Sequence, residues 1–318
     1  MTHDVGILFD AAFERHDTGP GHPERPLRLG AIGAGLRSAG LLGAALLLSP
    51  KSVADDVLHR IHAPEYVRRV GEHCRARKRF IDVPDSAICA DSDEIARLAA
   101  GGVVEAARRI GRGELQRAFC AVRPPGHHAE RDRSMGFCLY NNIALAATVF
   151  RDEFALQRIA IVDFDVHHGN GTQHMFESDA RVLFVSTHGH PRFLYPGTGH
   201  EHETGVGAGA GFTMNITFMP DEGDAAHRSA MEERVLPALR AYQPQVLLLS
   251  AGFDAHADDP LGCMALSDEH FGWMTGALLE ATADSTGGRV LSVLEGGYNL
   301  DVLRRCVPAH VRQLIEHR

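Results

Sequence analysis

The sequence predicts an α/β domain built on a mainly parallel central sheet with helices on both faces, and three observations predict it. Short runs of Val, Ile, Leu and Phe are apolar throughout instead of alternating, the pattern of strands buried on both faces. Helix-length segments separate these runs, so consecutive strands are joined by crossovers and lie parallel. Each run breaks off at Gly, Asp or Pro, and such sheets bind ligands beyond the carboxyl ends of their strands, which places the active site there.

In chain order the strands are read at 5–10 (VGILFD), 117–122 (RAFCAV), 158–165 (RIAIVDFD), 181–186 (RVLFVS), 212–217 (FTMNIT), 245–251 (QVLLLSA) and 289–295 (RVLSVLE). Helical stretches fall between them at 94–110, 140–152, 224–241, 268–284 and 300–316. The Gly-rich segment HETGVGAGAG at 202–211 reads as a surface loop, since no helix signal follows it to make a phosphate cradle. With no repeat, low-complexity tract or linker, and 44% hydrophobic residues to fill a core, residues 1–318 are expected to form one domain.

Composition narrows the function classes. A formal charge of −9 with no long Lys/Arg run argues against nucleic acid as principal ligand and suits a cationic substrate. No apolar run approaches the roughly 20 residues of a membrane helix, so no membrane partner is expected. The opening MTHDVGILFD lacks the basic-then-apolar order of a secretion signal, and a cytoplasmic location is the expectation. Six scattered cysteines without a C-x-x-C pair read as reduced packing thiols.

Four strand ends carry chemistry. In VDFDVHHGNGTQ, Asp163, Asp165 and His167 occupy alternate positions, so on an extended strand all three side chains point one way. Two facing carboxylates repel unless one is protonated or a cation lies between them. An Asp-plus-His pair suits zinc or a similar transition metal, although the same residues could instead cap a helix starting near Gly171. RPPGHHA holds His127 and His128 behind a rigid turn, a pair able to supply a neutral base and a protonated imidazole. SAGFDAH brings Asp254 as a third ligand that leaves a coordination position open for water, and LEGGYNL brings the Tyr298 phenol as an oxyanion donor.

Together with MGFCLYNN, STHG, YPGTG and DPLG, in this order from Arg123 to Leu300, these segments resemble the histone deacetylase family of zinc amidohydrolases. GPGHPERPLR near the N-terminus is similar to the family's first rim loop, and HHGNGTQ and LEGGYNL look closest to its class II and bacterial members. The resemblance implies an arginase-like fold and zinc-dependent hydrolysis of an amide bond outside peptide linkages. It implies zinc on Asp165, His167 and Asp254, His128 as general base, His127 as a charge and proton partner, and Tyr298 on the substrate carbonyl. Asp163 would support His127 and, with Ser186 and the backbone carbonyls of Asp165, His167 and Thr187, hold a structural potassium ion. Iron could replace zinc at an Asp₂His site.

Asn170 stands where class I members carry an acid, so His128 is expected to hold a proton less tightly than with a carboxylate partner. Gly136, Phe137 and Tyr195 would wall a tunnel for a lysine-like chain, with Ser86 at its rim and Arg28 lining an exit cavity. Leu261 replaces the acidic gatekeeper of polyamine-selective relatives, which favours an acylated lysine in a protein or peptide over a small acylated amine. A non-enzymatic acyl-lysine binder would have lost some of this set. A two-metal ureohydrolase would need carboxylates where His168 and Asn170 stand. Oligomerisation, including a homo-oligomer, is left open.

Overall fold

The computed structural model describes residues 4–317. Its strands are β1 (Val5–Leu8), β2 (Leu46–Leu48), β3 (Phe80–Ile81), β4 (Val83–Ala87), β5 (Arg117–Cys120), β6 (Ile159–Asp163), β7 (Val182–Gly189), β8 (Thr213–Phe218), β9 (Val246–Ala251) and β10 (Val290–Leu294). Eight of them form one sheet in the order β2-β1-β5-β10-β9-β6-β7-β8, with every pairing parallel. β3 and β4 form a separate antiparallel pair.

Burial follows this order. β5, β6, β7, β9 and β10 are buried along their whole length, whereas the edge strands β2 and β8 keep partly exposed positions. Each fully buried Leu of β9, such as Leu247, Leu248 or Leu249, contributes roughly 1.5–3 kcal/mol of transfer free energy.

The helices are α1 (Leu27–Ser38), α2 (Leu41–Ala44), α3 (Asp55–Leu58), α4 (Pro64–Arg75), α5 (Ser92–Gly111), α6 (Asn142–Thr148), α7 (Asn170–Phe176), α8 (Asp224–Ala230), α9 (Leu236–Tyr242), α10 (Asp268–Thr286) and α11 (Leu300–Glu316). α1, α10 and α11 pack as one group, and α5 packs with α6. α11 starts where Asn299 Oδ1 accepts from the backbone N–H groups of Asp301 and Val302. α5 places Asp93 and Glu94 in its first turn and Arg108 and Arg109 in its last, matching the helix dipole at both ends.

The expected strands and helices are present, with differences at their ends and in the N-terminal third. The first strand stops at Leu8, because the Asp10 carboxylate accepts from Ala12 N and turns the chain into a short 3₁₀ segment. The helices expected at 140–152 and 224–241 each pass from α into a π turn, at Val149–Glu153 and Met231–Val235. The sheet edge β2, the β3–β4 pair and helices α1 to α4 lie in the N-terminal third, where no element beyond the first strand was legible. The 202–211 segment is a mostly exposed loop with one 3₁₀ turn at Gly207–Gly209.

The topology sets the site. The strands preceding the four chemistry-bearing segments are β5, β10, β9 and β6, and they are neighbours in the middle of the sheet. Because all run parallel, their carboxyl ends emerge side by side at one edge.

Candidate active site

β5 delivers the loop carrying His127 and His128, which are almost fully buried with ring centroids 4.0 Å apart. The loop is fixed from β10: the Glu295 carboxylate accepts from Gly126 N at 2.7 Å and His127 N at 3.1 Å. His127 Nδ1 lies 2.9 Å from Asp163 Oδ2, and His128 Nδ1 lies 2.7 Å from Asn170 Oδ1. Burial disfavours charge on His127, but the Asp163 and Asp165 carboxylates outweigh it and push its pKa up to about 10. His128 is held well below the usual histidine range by burial first and then by the charges of His127 and His167. The expected weak proton affinity of His128 therefore has a different main cause, since its bond to Asn170 by itself favours the charged form.

Asp165, His167 and Asp254 offer ligand atoms within 4.8 Å of one another. β6 ends at Asp163, so the three alternate residues do not share an extended strand as expected. The chain turns there, with Phe164 N donating to Ser250 O and Asp165 N donating to Asp163 Oδ1. Asp163 faces His127, while Asp165 and His167 converge on Asp254 from beyond the strand. His167 Nδ1 sits 3.0 Å from Asp165 Oδ1 and 3.2 Å from Asp254 Oδ2. Asp254 Oδ2 is buried without a hydrogen-bond partner. Burial and the neighbouring Asp165 charge raise the Asp254 pKa, the signature of two buried carboxylates that need a cation. Gly296 is demanded here, because a Cβ would lie 1.9 Å from Asp254 Oδ2 and 2.6 Å from Asp165 Oδ2.

Two other clusters, His127–Cys138–Glu295 and His256–Asp268–Cys306, bring possible ligands together. Their donors are already committed. Glu295 Oε2 holds two backbone N–H groups and the Cys138 thiol donates to Gly136 O. His256 Nδ1 accepts from Asp258 N, so the neutral ring carries its proton on Nε2, facing Asp268, which Arg305 also grips at both oxygens. The Asp₂His set alone keeps a buried carboxylate oxygen unpartnered, and it fits a zinc-type ion.

A cavity of about 250 Å³ leads to this cluster, lined by Asp85, His128, Gly136, Phe137, His167, Leu194, Tyr195, Leu261 and Tyr298. Gly136 is forced to be small, because a Cβ would lie 2.2 Å from the His128 ring. Phe137 packs edge-on to Tyr298 and to His22 of the N-terminal loop, and Tyr195 packs edge-on to His128. Burial and the Asp254 charge hold the Tyr298 phenol well above its ordinary pKa, so it remains a hydrogen-bond donor.

Ser86 is a correction: it is fully buried, with its hydroxyl donating to Asp85, and Asp85 is the residue that reaches the cavity. Both lie on β4, where successive side chains face opposite ways. Arg28 is fully buried beneath Tyr298, 5.1 Å from its ring centroid, and donates to the carbonyls of Gly297 and Glu295 and to Glu24. Ser186 neighbours Asp163 in the sheet register, and its hydroxyl pairs with His188 Nδ1 at 2.9 Å.

Asp259 was not anticipated. Its Oδ2 accepts from Tyr298 N at 2.7 Å and Asn299 N at 3.1 Å, and its Oδ1 accepts from Leu261 N at 3.0 Å. The available signal was an acid before Pro260 at a strand-end turn. Leu194 and Asp85 gave none, since Leu194 precedes its motif on an ordinary loop and Asp85 sits on the short strand β4.

Residues 22–314 match the family model described as the histone deacetylase domain. Histone deacetylase 5 of Arabidopsis thaliana is 38% identical over 99% of this chain and 49% of its own length. A probable deacetylase of Archaeoglobus fulgidus is 38% identical over 93% of this chain and 82% of its own. The crystal structure of the HDA15 HD domain superposes with a TM-score of 0.93 at 37% identity, covering 99% of this chain and 89% of that one. Against several curated relatives the chain spans about half their length or less.

Proposed function

Because the chain belongs to the histone deacetylase family, we propose that it hydrolyses the amide bond of an N-acyl-lysine side chain in a protein or peptide. The observation that carries this reading is the largely apolar cavity lined by His128, His167 and Tyr298 beside the buried Asp165–His167–Asp254 set. Its aromatic walls, Phe137 and Tyr195, suit an uncharged methylene chain.

Zinc would be held by Asp165, His167 and Asp254, and when bound it supplies Lewis-acid polarisation of the carbonyl and a more acidic water. His128, neutral with Nδ1–H committed to Asn170, presents an unprotonated Nε2 that takes the proton of the attacking water. Tyr298 donates its phenolic hydrogen to the developing oxyanion. His127, charged and backed by Asp163, stabilises that anion and keeps a proton beside the leaving amine. Arg28, which donates to Gly297 O, Glu295 O and Glu24, would steady the turn that carries Tyr298. Fe²⁺ at the same ligands, and K⁺ beside Asp163 and Ser186 with the carbonyls of Asp165, His167 and Thr187, belong to the same reading.

Asp85 in the cavity lining favours a second reading, an acylated small cationic amine. The test is kcat/KM of the zinc-loaded chain on an acetyl-lysine peptide and on an acetylated polyamine, with Tyr298→Phe alongside. Preference for the peptide, and a loss of roughly 10²–10³ in kcat for Tyr298→Phe at little change in KM, supports the deacylase reading. Preference for the polyamine overturns the inference drawn from Leu261.

A further inference from the structure

Asn170 has two chemically opposite ends, and the base reads only one of them. Its Oδ1 faces His128 Nδ1 at 2.7 Å, which obliges that nitrogen to carry the hydrogen and leaves Nε2 free. A flipped amide would present N–H to the ring, draw the proton to Nε2 and abolish the base. The other end, Nδ2, lies 2.6 Å from Glu130 Oε1, with His128 O at 3.3 Å and Met135 Sδ at 3.7 Å as longer acceptors.

Glu130 is itself fixed. His174 Nδ1 meets its carboxylate at 2.8 Å, and its backbone carbonyl accepts from His62 Nδ1. Hydrogen bonds from His174 and Asn170 outweigh burial and keep this carboxyl below its ordinary pKa, so it is ionised at neutral pH. An ionised acceptor at this distance is the strongest contact the amide makes.

We propose that Glu130 is a positioning residue that sets the His128 tautomer by fixing which way the Asn170 amide faces. An amide cannot relay a proton, so orientation passes from Glu130 to the ring while the charge stays outside the site. Pulling on Nδ2–H also polarises the amide and enriches Oδ1, returning to His128 part of the negative field that an acid at position 170 would supply. This role rests on His128 acting as the base.

The experiment is ¹⁵N NMR of the His128 ring in the zinc-loaded chain, with kinetics on the acetyl-lysine peptide. Wild type should show hydrogen on Nδ1. Glu130→Leu should shift it toward Nε2 and lower kcat roughly 10–100-fold, the range typical for losing an outer partner, with KM within about twofold. Glu130→Gln, whose carbonyl still accepts from Asn170, should restore the Nδ1–H form and most of the rate. In an Asn170→Ala background, where no amide is left to orient, Glu130→Leu should change kcat by less than about twofold. An unchanged tautomer in Glu130→Leu, or an equal loss in both backgrounds, overturns the proposal. If wild type cleaves no acyl-lysine substrate, the functional reading fails while the ring spectrum still decides the role of Glu130.

Discussion

His127 and His128 are one peptide bond apart and are pushed in opposite directions by what stands behind them. Carboxylates favour the charged form of His127, whereas burial and the neighbouring positive charges keep His128 neutral. Splitting two like groups in this way suits them to the separate acid and base parts proposed for them. The residue scale also fixes the metal expectation. Asp254→Asn keeps an oxygen for Val166 N, which the Asp254 Oδ1 holds at 3.0 Å, but removes the charge. Elemental analysis of the dialysed variant should show zinc lost while potassium at the Asp163 side is retained. Retention of full zinc occupancy would contradict the assignment of Asp254 as a ligand, and absence of potassium from wild type would remove that ion from the reading.

At the scale of elements, the turn after β9 and the turn after β10 are locked together by one carboxylate. Asp259 holds the backbone of Leu261, Tyr298 and Asn299, so Leu261 and Tyr298 move as a unit. Asp259→Asn is nearly isosteric yet must turn an N–H toward a backbone N–H. The expected cost is about 1–3 kcal/mol of stability, read from urea unfolding, together with a lower kcat as Tyr298 loosens. An unchanged unfolding midpoint with unchanged kcat would mean that the two turns are fixed by other contacts. α11 was legible in the sequence at 300–316 because Asn299 caps it and its apolar residues recur at helical spacing. α1 was not, since Gly30, Gly33 and Gly35 weaken its propensity and its helical face is packed against α11 rather than patterned for water.

At the largest scale, the chain buries histidines beyond the His127–His128 pair as neutral hydrogen-bonding groups. Burial depresses His16 and His62 to about 4, and His227 and His310 to about 3. His310, for instance, bridges Thr275 on α10 and Ser292 on β10 through its two ring nitrogens. The unfolded chain protonates these rings near pH 6.5, whereas the folded chain resists to pH 4 or 3. Stability is therefore complete above about pH 6.5 and is withdrawn as pH falls toward the folded values, at about 1.4 kcal/mol per pH unit for each ring. Unfolding free energies at pH 7, 6 and 5 should fall with increasing steepness; a flat profile would mean these rings accept protons in place.

Sheet type, the order of the motifs and the residue types at four strand ends are written in the chain before it folds. Continuous apolar runs and strand-end punctuation are local properties, and they survive in one dimension. The linear pattern also supplied His127, His128, Asp165, His167, Asp254 and Tyr298, because donors at the ends of core strands are conspicuous where greasy residues are expected. Tertiary structure decided what local pattern cannot encode. The strand order put β5, β10, β9 and β6 side by side. The turn after β6 sent Asp163 to His127 while Asp165 went to Asp254, and the pleat of β4 put Asp85 instead of Ser86 into the cavity lining. Glu130 and Asp259 owe their parts to hydrogen bonds across 40 and 39 residues of chain, a separation that only folding brings within bonding distance.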